Sequence, residues 1–414
     1  MQLTVDSRHL PVGWEIKSIG DLCKVIAGQS PEGEYYNQEE IGLPFYQGKK
    51  EFGQKFIKSP QTWTRKTTKE AEFGDILMSV RAPVGPINFA TEKICIGRGL
   101  AAIRAESKID RDFLFYGLLS KQSDIQGNEG AVFPSINKNQ IENIKFPLPP
   151  LPEQKQIVAI LDEVFEGIDR AIANTEKNFA NSRELFKSYL QSVFTERGEE
   201  CVETTLGKVC QFENGDRGKN YPNREEYVES GIPWINTGHI QPDGTLSQSE
   251  MNFITREKYE SLRSGKIRPG DLVYCLRGAT IGKTALVAPF TVGAVASSLV
   301  IIRPSSLLDN YFLYYFLTSS VGQRLIKLYD NGAAQPNLGA KSVAKYIIFL
   351  PKLTEQQVIV QKLAALAAET QRLESIYRQK IAALKELKQS ILQKAFTGEL
   401  TADTPKTEKE EIAA

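Results

Sequence analysis

Two long stretches of the chain keep a single hydrophobic stripe. Residues 153–196 contain no proline, and apolar or small residues recur at Ile157, Leu161, Val164, Ile168, Ile172, Thr175, Phe179, Ser182, Phe186, Tyr189 and Val193. Steps of three and four are the signature of an α-helical seam with a seven-residue repeat, broken here by one stutter between Ile168 and Ile172. Residues 355–396 repeat the pattern at Ile359, Leu363, Leu366, Thr370, Leu373, Tyr377, Ile381, Leu384, Lys388, Ile391 and Ala395, with the stutter between Tyr377 and Ile381. At 1.5 Å per residue each helix would span roughly 60–65 Å. The first stutter lies before its helix midpoint and the second after. An antiparallel pair would therefore set the two irregularities against each other, and a two-helix antiparallel coiled coil is the expectation.

The remaining segments alternate short β-branched runs with Gly and Pro turns, and each carries one apolar helix with an Asp, Asp110 or Asp309, at its N-cap position. They are copies of one another. Pro149 and Pro351, Glu153 and Glu355, and Gln154 and Gln356 are each 202 residues apart, as are Pro134 and Pro336 in "FPSIN" and "QPNL"; "SIGDLCKVIAGQS" answers "TLGKVCQFENGDR", and "GDILMSVRAPVG" answers "GDLVYCLRGATIG". A unit of about 200 residues written twice is too long and too few for a solenoid. The predicted fold class is α+β: a tandem duplication of two globular α/β domains, 1–150 and 199–350, joined by long helices at 151–198 and 351–400. The polar residues 401–414 are expected to be a disordered tail.

Duplication also decides the one motif that suggests nucleotide chemistry. "RGATIGKT" (277–284) ends like a phosphate-binding loop, but only three residues separate Gly278 from Gly282 and a β-branched run follows where a helix is required. The first copy replaces Lys283 and Thr284 with Pro86 and Ile87. A scaffolded turn with a variable tip is the expectation. Five cysteines without a C-x-x-C pair and two histidines, His9 and His239, argue against zinc and for reduced, buried thiols. No apolar run approaches the eighteen residues of a membrane span, and the first ten residues lack the layout of a signal peptide. A net charge of +1 leaves nucleic acid open, because binding depends on where charge sits.

The doubled "PLPPLPEQKQIVAILD" and "LPKLTEQQVIVQKL", the helix ends "SYLQSVFTERGE" and "SILQKAFTGEL", and the "FPSIN" and "QPNL" lead-ins resemble the specificity subunit of type I restriction–modification enzymes over essentially the whole chain. The resemblance implies two target recognition domains, each reading one half of a split sequence in double-stranded DNA. It implies that the helices set the spacer and dock two modification (methyltransferase) subunits, with restriction (translocase and nuclease) subunits joining them. It further implies a cytoplasmic chain that is not catalytic by itself and binds no cofactor, with S-adenosylmethionine and ATP/Mg on the partner subunits. The competing expectation is a coiled-coil scaffold with two protein-binding heads.

Candidate DNA contacts come from local basic runs and from amide or imidazole groups suited to base edges. In the first domain they are Gln47, Lys49, Lys50, Lys55, Lys58, Arg65, Lys66 and Arg81; in the second, Arg217, Asn236, His239, Arg263, Lys266, Arg277 and Lys283. Any single lysine of these runs could equally line a solvated face. Arg81 and Arg277 occupy matching positions, each either a phosphate anchor or a structural pair. Trp63 and Trp234 are expected in the core.

Overall fold

The computed structural model describes residues 10–122, 125, 135–196, 198, 200–329 and 338–401. His9, Pro134, Pro336 and the expected tail beyond Thr401 lie outside the described residues. The chain forms two compact units, Met1–Thr175 with Gln379–Ala414, and Glu176–Arg378.

In the first unit an antiparallel sheet runs in the order Cys23–Ala27, Leu100–Ala105, Ile76–Ser79, Ile87–Phe89. Alternate residues serve two cores, as the period-two geometry of a strand requires. Ala101 and Ile103 face a core shared with the helix Arg111–Ser120, while Leu100 and Ala102 face a smaller core under a second sheet. In that second sheet Leu43–Tyr46 runs parallel to Ile94–Ile96, pairing Phe45 with Cys95 and Tyr46 with Ile96.

The second unit has the same plan. Its sheet runs Cys210–Asn214, Leu299–Pro304, Leu272–Cys275, Thr284–Leu286. Tyr274 and Ile302 face one core, Val273 and Ile301 the other. Ile232–Ile235 runs parallel to Ala294–Val295, pairing Trp234 with Ala294. Both N-cap aspartates behave as expected: the Asp110 carboxylate accepts from the backbone N–H groups of Asp112 and Phe113, and Asp309 from those of Tyr311 and Phe312.

Buried polar pairs repeat as well. Asp75 receives Nε and Nη2 of Arg104 at 2.8 and 2.7 Å, and Asp271 receives the same atoms of Arg303 at 2.8 and 2.8 Å. Buried Gln154 accepts from the Asp110 N–H at 2.7 Å and donates to the Pro149 carbonyl at 2.8 Å. Gln356 accepts from Asp309 at 2.9 Å and donates to Pro351 at 2.8 Å. The repeated Glu-Gln lead-in is thus a clamp between the start of a long helix and the cap of the domain's own helix.

The long helices are Leu151–Thr195 and Leu353–Thr397. Every residue of both predicted seams is buried or half-buried. In the first unit Glu153 meets Thr401 and Asp169 meets Lys388; in the second, Phe179 meets Arg378 and Arg183 meets Glu374. Partner numbers fall as the first helix advances, so the segments run antiparallel within each unit. The stutters do not oppose each other. The turn at Ile168–Ile172 lies beside Lys388 in the first unit, and that at Tyr377 lies beside Phe179 in the second. Register is set instead by side chains docked at the helix ends. Phe396 packs 5.0 Å from the Phe113 ring in the first unit's core, and Phe194 packs 5.1 Å from Phe312 in the second. These two phenylalanines, 202 residues apart, explain the repeated "VFT" and "AFT" helix ends.

Candidate nucleic-acid interface

The "RGATIGKT" loop closes the hairpin between Leu272–Cys275 and Thr284–Leu286, and three of its amides are spent on the turn itself. Ile281 donates to the Gly278 carbonyl, Gly282 to Cys275 and Lys283 to Thr280, at 3.1, 2.9 and 3.1 Å. The loop leads into the strand Thr284–Leu286, so no helix N-terminus follows it to hold a phosphate. The first copy builds the same turn around Pro86: Ser79 donates to the Pro86 carbonyl at 2.8 Å, as Cys275 does to Lys283 at 2.8 Å. Gly85 and Gly282 hold matching positive φ values of 105° and 85°, which a side chain would strain.

From this hairpin a row of loops crosses each unit at one edge. In the first, the residue before Arg81 donates its N–H to the Gly99 carbonyl at 3.0 Å, and Gly99 donates to the Gln47 carbonyl at 3.1 Å. Ser30 closes the row, its hydroxyl donating to Gln47 Oε1 at 3.2 Å and accepting from the Arg98 N–H at 3.3 Å. In the second, Leu276 donates to the Ser298 carbonyl at 2.9 Å, Ala296 to Ile235 at 2.8 Å, and Arg217 Nη2 to the Ser297 carbonyl at 3.4 Å. Asn236 lines a recess with Tyr221, Arg224, Tyr227, Trp234 and Ser298. Gln47, Arg81, Arg98, Arg217 and Arg277 are exposed, and Asn236 is half-buried.

The structure sorts the remaining candidates. Lys49 and Lys50 follow Gln47 in one exposed 3₁₀ turn, where Lys50 donates to Gln61 Oε1 at 2.7 Å. Lys58 and Arg65 are exposed, and Lys66 lies 4.8 Å from the centre of the Tyr35 ring. Lys55 turns to the long helix of its own unit, 2.9 Å from Asp162 and 3.6 Å from Asp112. Burial and the Asp162 hydrogen bond push the neighbouring Tyr116 phenol above its ordinary range. Arg263 and Lys283 are exposed, while Lys266 folds back onto the Glu260 carbonyl and the Tyr259 ring.

His239 is buried. Its Nδ1 accepts the Asn236 N–H at 3.1 Å, and burial holds the imidazole below its usual pKa, so it is a neutral support beneath the row rather than part of its surface. Asp216, beside Arg217, accepts from the backbone of Arg263 and Gly218 at 2.8 and 2.7 Å, which lowers its carboxyl below the usual value and ties those two loops together. Trp234 is in the core as expected, and Trp63 is half-buried. Of the cysteines, 23, 95, 210 and 275 are buried and Cys201 only partly so; all five are free.

Arg98 was invisible to a search for basic runs, because it stands alone between two glycines in "IGRGL". The signal that could have found it is its copy relationship. Ile96 and Val295 are matched by parallel pairing with Tyr46 and Ile235, which aligns Arg98 with Ser297.

Among the described residues no helix is long and apolar enough to cross a membrane. The family model for the type I restriction modification DNA specificity domain matches this chain twice, at residues 11–178 and 198–384. A putative type I restriction enzyme MjaX specificity subunit from Methanocaldococcus jannaschii is 45% identical over 165 residues, a stretch spanning only 39% of each protein. The MjaVIII specificity subunit of the same organism is 26% identical over 95% of this chain and 94% of its own length. A solved chain from a study of complex assembly in the type I R-M system shares the fold, with a TM-score of 0.75 and 22% identity over 94% of this chain and 99% of that one. Two family matches, laid over two copies of one architecture, place this chain in the family of type I restriction modification DNA specificity domain proteins.

Proposed function

We propose that this chain is the DNA sequence-specificity subunit of a type I restriction–modification complex. The carrying observation is that each copy of the fold presents the same row of loops, with an amide and a guanidinium at its tips. One such row per head suits one half of a split recognition sequence in double-stranded DNA. Amides and guanidinium groups are the side chains that read base edges, and the lysines around them suit phosphates. On this reading, residues 1–150 and 199–350 are the two recognition domains. The helices at 151–198 and 351–400 set the spacer and dock two modification subunits. Those subunits bring S-adenosylmethionine and methylate adenine; restriction subunits add ATP- and Mg-dependent cleavage. The chain is not catalytic by itself, binds no cofactor and works in the cytoplasm.

Methylome sequencing of cells with and without the gene tests this. The expected result is loss of one split adenine motif in its absence; an unchanged methylome would overturn the proposal. The competing scaffold with two protein-binding heads predicts no steep loss of DNA affinity with salt, whereas phosphate contacts predict one.

A further inference from the structure

Two loops of the row carry a reciprocal exchange between the copies. The first loop begins at Gly28 or Gly215, which donate equivalent backbone hydrogen bonds to Leu100 and Leu299 at 2.9 and 3.4 Å. Two residues on stands Ser30 in the first head and Arg217 in the second. The second loop carries Arg98 in the first head and Ser297 in the second. One arginine and one serine face each other in both heads, from opposite loops. The two loops touch in both heads, through different atoms: the Arg98 backbone N–H donates to the Ser30 hydroxyl at 3.3 Å, and the Arg217 side chain donates through Nη2 to the Ser297 backbone carbonyl at 3.4 Å.

The packing beneath shows why the loops meet so closely. A Cβ on Gly28 would lie 2.2 Å from the Gly97 carbonyl oxygen, and one on Gly215 would lie 2.4 Å from that of Ala296. Gly99 has the same restriction, since its Cβ would lie 2.4 Å from the Gln47 carbonyl oxygen. Glycine at 28 and 215 therefore lets the first and second loops of each head meet, and in the first head Gly99 lets the arginine loop approach the amide loop. Neither arginine has a carboxylate within ion-pair distance among the described residues, and both are exposed. Gln47 stands beside Arg98, with its oxygen engaged by Ser30; its counterpart in the second head, Asn236, has its oxygen engaged by the Gly238 N–H at 2.8 Å, and each amide keeps its NH₂ group to donate.

We infer that Arg98 and Arg217 are equivalent specificity-determining residues, each directing its guanidinium to the O6 and N7 atoms of a guanine in the half-site its own head reads. A phosphate anchor has no need of the close loop packing or the adjacent amide donor. A bidentate base contact needs the planar fork held at a fixed place. This inference rests on the proposed DNA-reading function.

The test uses the full chain assembled with its modification subunits and reads methylation across a library randomised in one half-site at a time. Wild type must first select a split motif; failure there refutes the proposed function, and this inference falls with it. Given that motif, Arg98→Ala should relax one guanine position of the first half-site, with discrimination falling about tenfold or more, and leave the second half-site unchanged. Arg217→Ala should do the reverse. Arg98→Lys, which keeps the charge and loses the fork, should also lose the guanine preference. Thermal melting matched to wild type establishes that each variant is folded. A first half-site without guanine, full rescue by lysine, or a uniform loss of affinity with a shallower salt slope would each overturn the inference.

Discussion

Replacing Gln154 with alanine tests whether the repeated Glu-Gln lead-in is a structural clamp. The side chain accepts from the Asp110 N–H at 2.7 Å and donates to the Pro149 carbonyl at 2.8 Å and, weakly, to the Lys108 carbonyl at 3.4 Å. Truncation leaves one amide donor and one buried carbonyl without partners, and water has little access to the Pro149 end. Each orphaned group costs about 1–3 kcal/mol, giving a total of about 2–6 kcal/mol for the two. For a unit of this size that corresponds to a fall in Tm of roughly 4–24 °C. Differential scanning calorimetry gives the magnitude, and hydrogen exchange read by mass spectrometry locates it. Protection should fall at residues 108–118 and 149–158 and not in the second copy. Gln356→Ala should mirror this in the second unit, where Asp309 and Pro351 lose the same bonds. Gln154→Glu sharpens the test, because a carboxylate facing two carbonyls repels them at neutral pH and regains a donor only when protonated. Its stability should therefore recover partly on acidification. A loss below about 1 kcal/mol for Gln154→Ala, less than one orphaned buried group costs, would refute the clamp.

Asp271 and Asp75 are both buried, but Arg303 is 16% exposed against 35% for Arg104, so Asp271→Ala, which leaves the more buried guanidinium with only the longer Glu213 pair at 3.4 Å, should cost about 3 kcal/mol and Asp75→Ala distinctly less; equal losses in urea titrations would contradict the burial argument. Burial pushes the thiols of Cys23 and Cys210 up to about 12 from an ordinary 9.0. The folded chain then keeps protons that the unfolded chain releases. Their stabilising contribution is complete below pH about 9 and is lost as pH rises toward about 12, at up to about 1.4 kcal/mol per pH unit for each thiol. Denaturation curves of Cys23→Ala/Cys210→Ala should flatten across that window; a slope unchanged from wild type would count against it. Four residues added at Glu196–Gly198 would lengthen the first helix by about 6 Å. The preferred spacer should change while both half-sites stay the same, and altered half-site bases with a constant spacer would contradict the ruler.

Much of this architecture can be read from the chain because it is enforced locally or repeatedly. The seams follow from helical periodicity, and the caps from an aspartate before an apolar helix. The hairpin at Gly282 follows from its copy at Gly85. Stutter opposition failed because the register of two helices is not decided by their seams alone: docking Phe194 and Phe396 into cores outweighs the matching of two irregular turns. The site was less legible. A window of basic residues selects Lys55, yet the fold carries that lysine to Asp162, 107 positions away. It overlooks Arg98, which gains a place beside Gln47 only through the pairing of Phe45 with Cys95 across 50 residues. His239 looked like a base reader by type; the tight turn after Ile235 spends its Nδ1 on the backbone instead.

The differences between the copies carry a physical division of labour. What repeats is buried and polar or sterically confined: Asp75 and Asp271, Gln154 and Gln356, Gly28 and Gly215. Each is held by an unsatisfied-group penalty or by a backbone contact that admits no Cβ, so substitution there costs the fold directly. What differs stands at loop tips, Pro86 against Lys283, Arg98 against Ser297, Ser30 against Arg217. Surface substitutions there change stability by about 0.5 kcal/mol or less, so the fold exerts almost no restraint on them. A scaffold with penalties concentrated one layer beneath its loops can exchange reading groups between neighbouring loops without disturbing the sheet that carries them. Two copies of one backbone can thereby come to read two different half-sites.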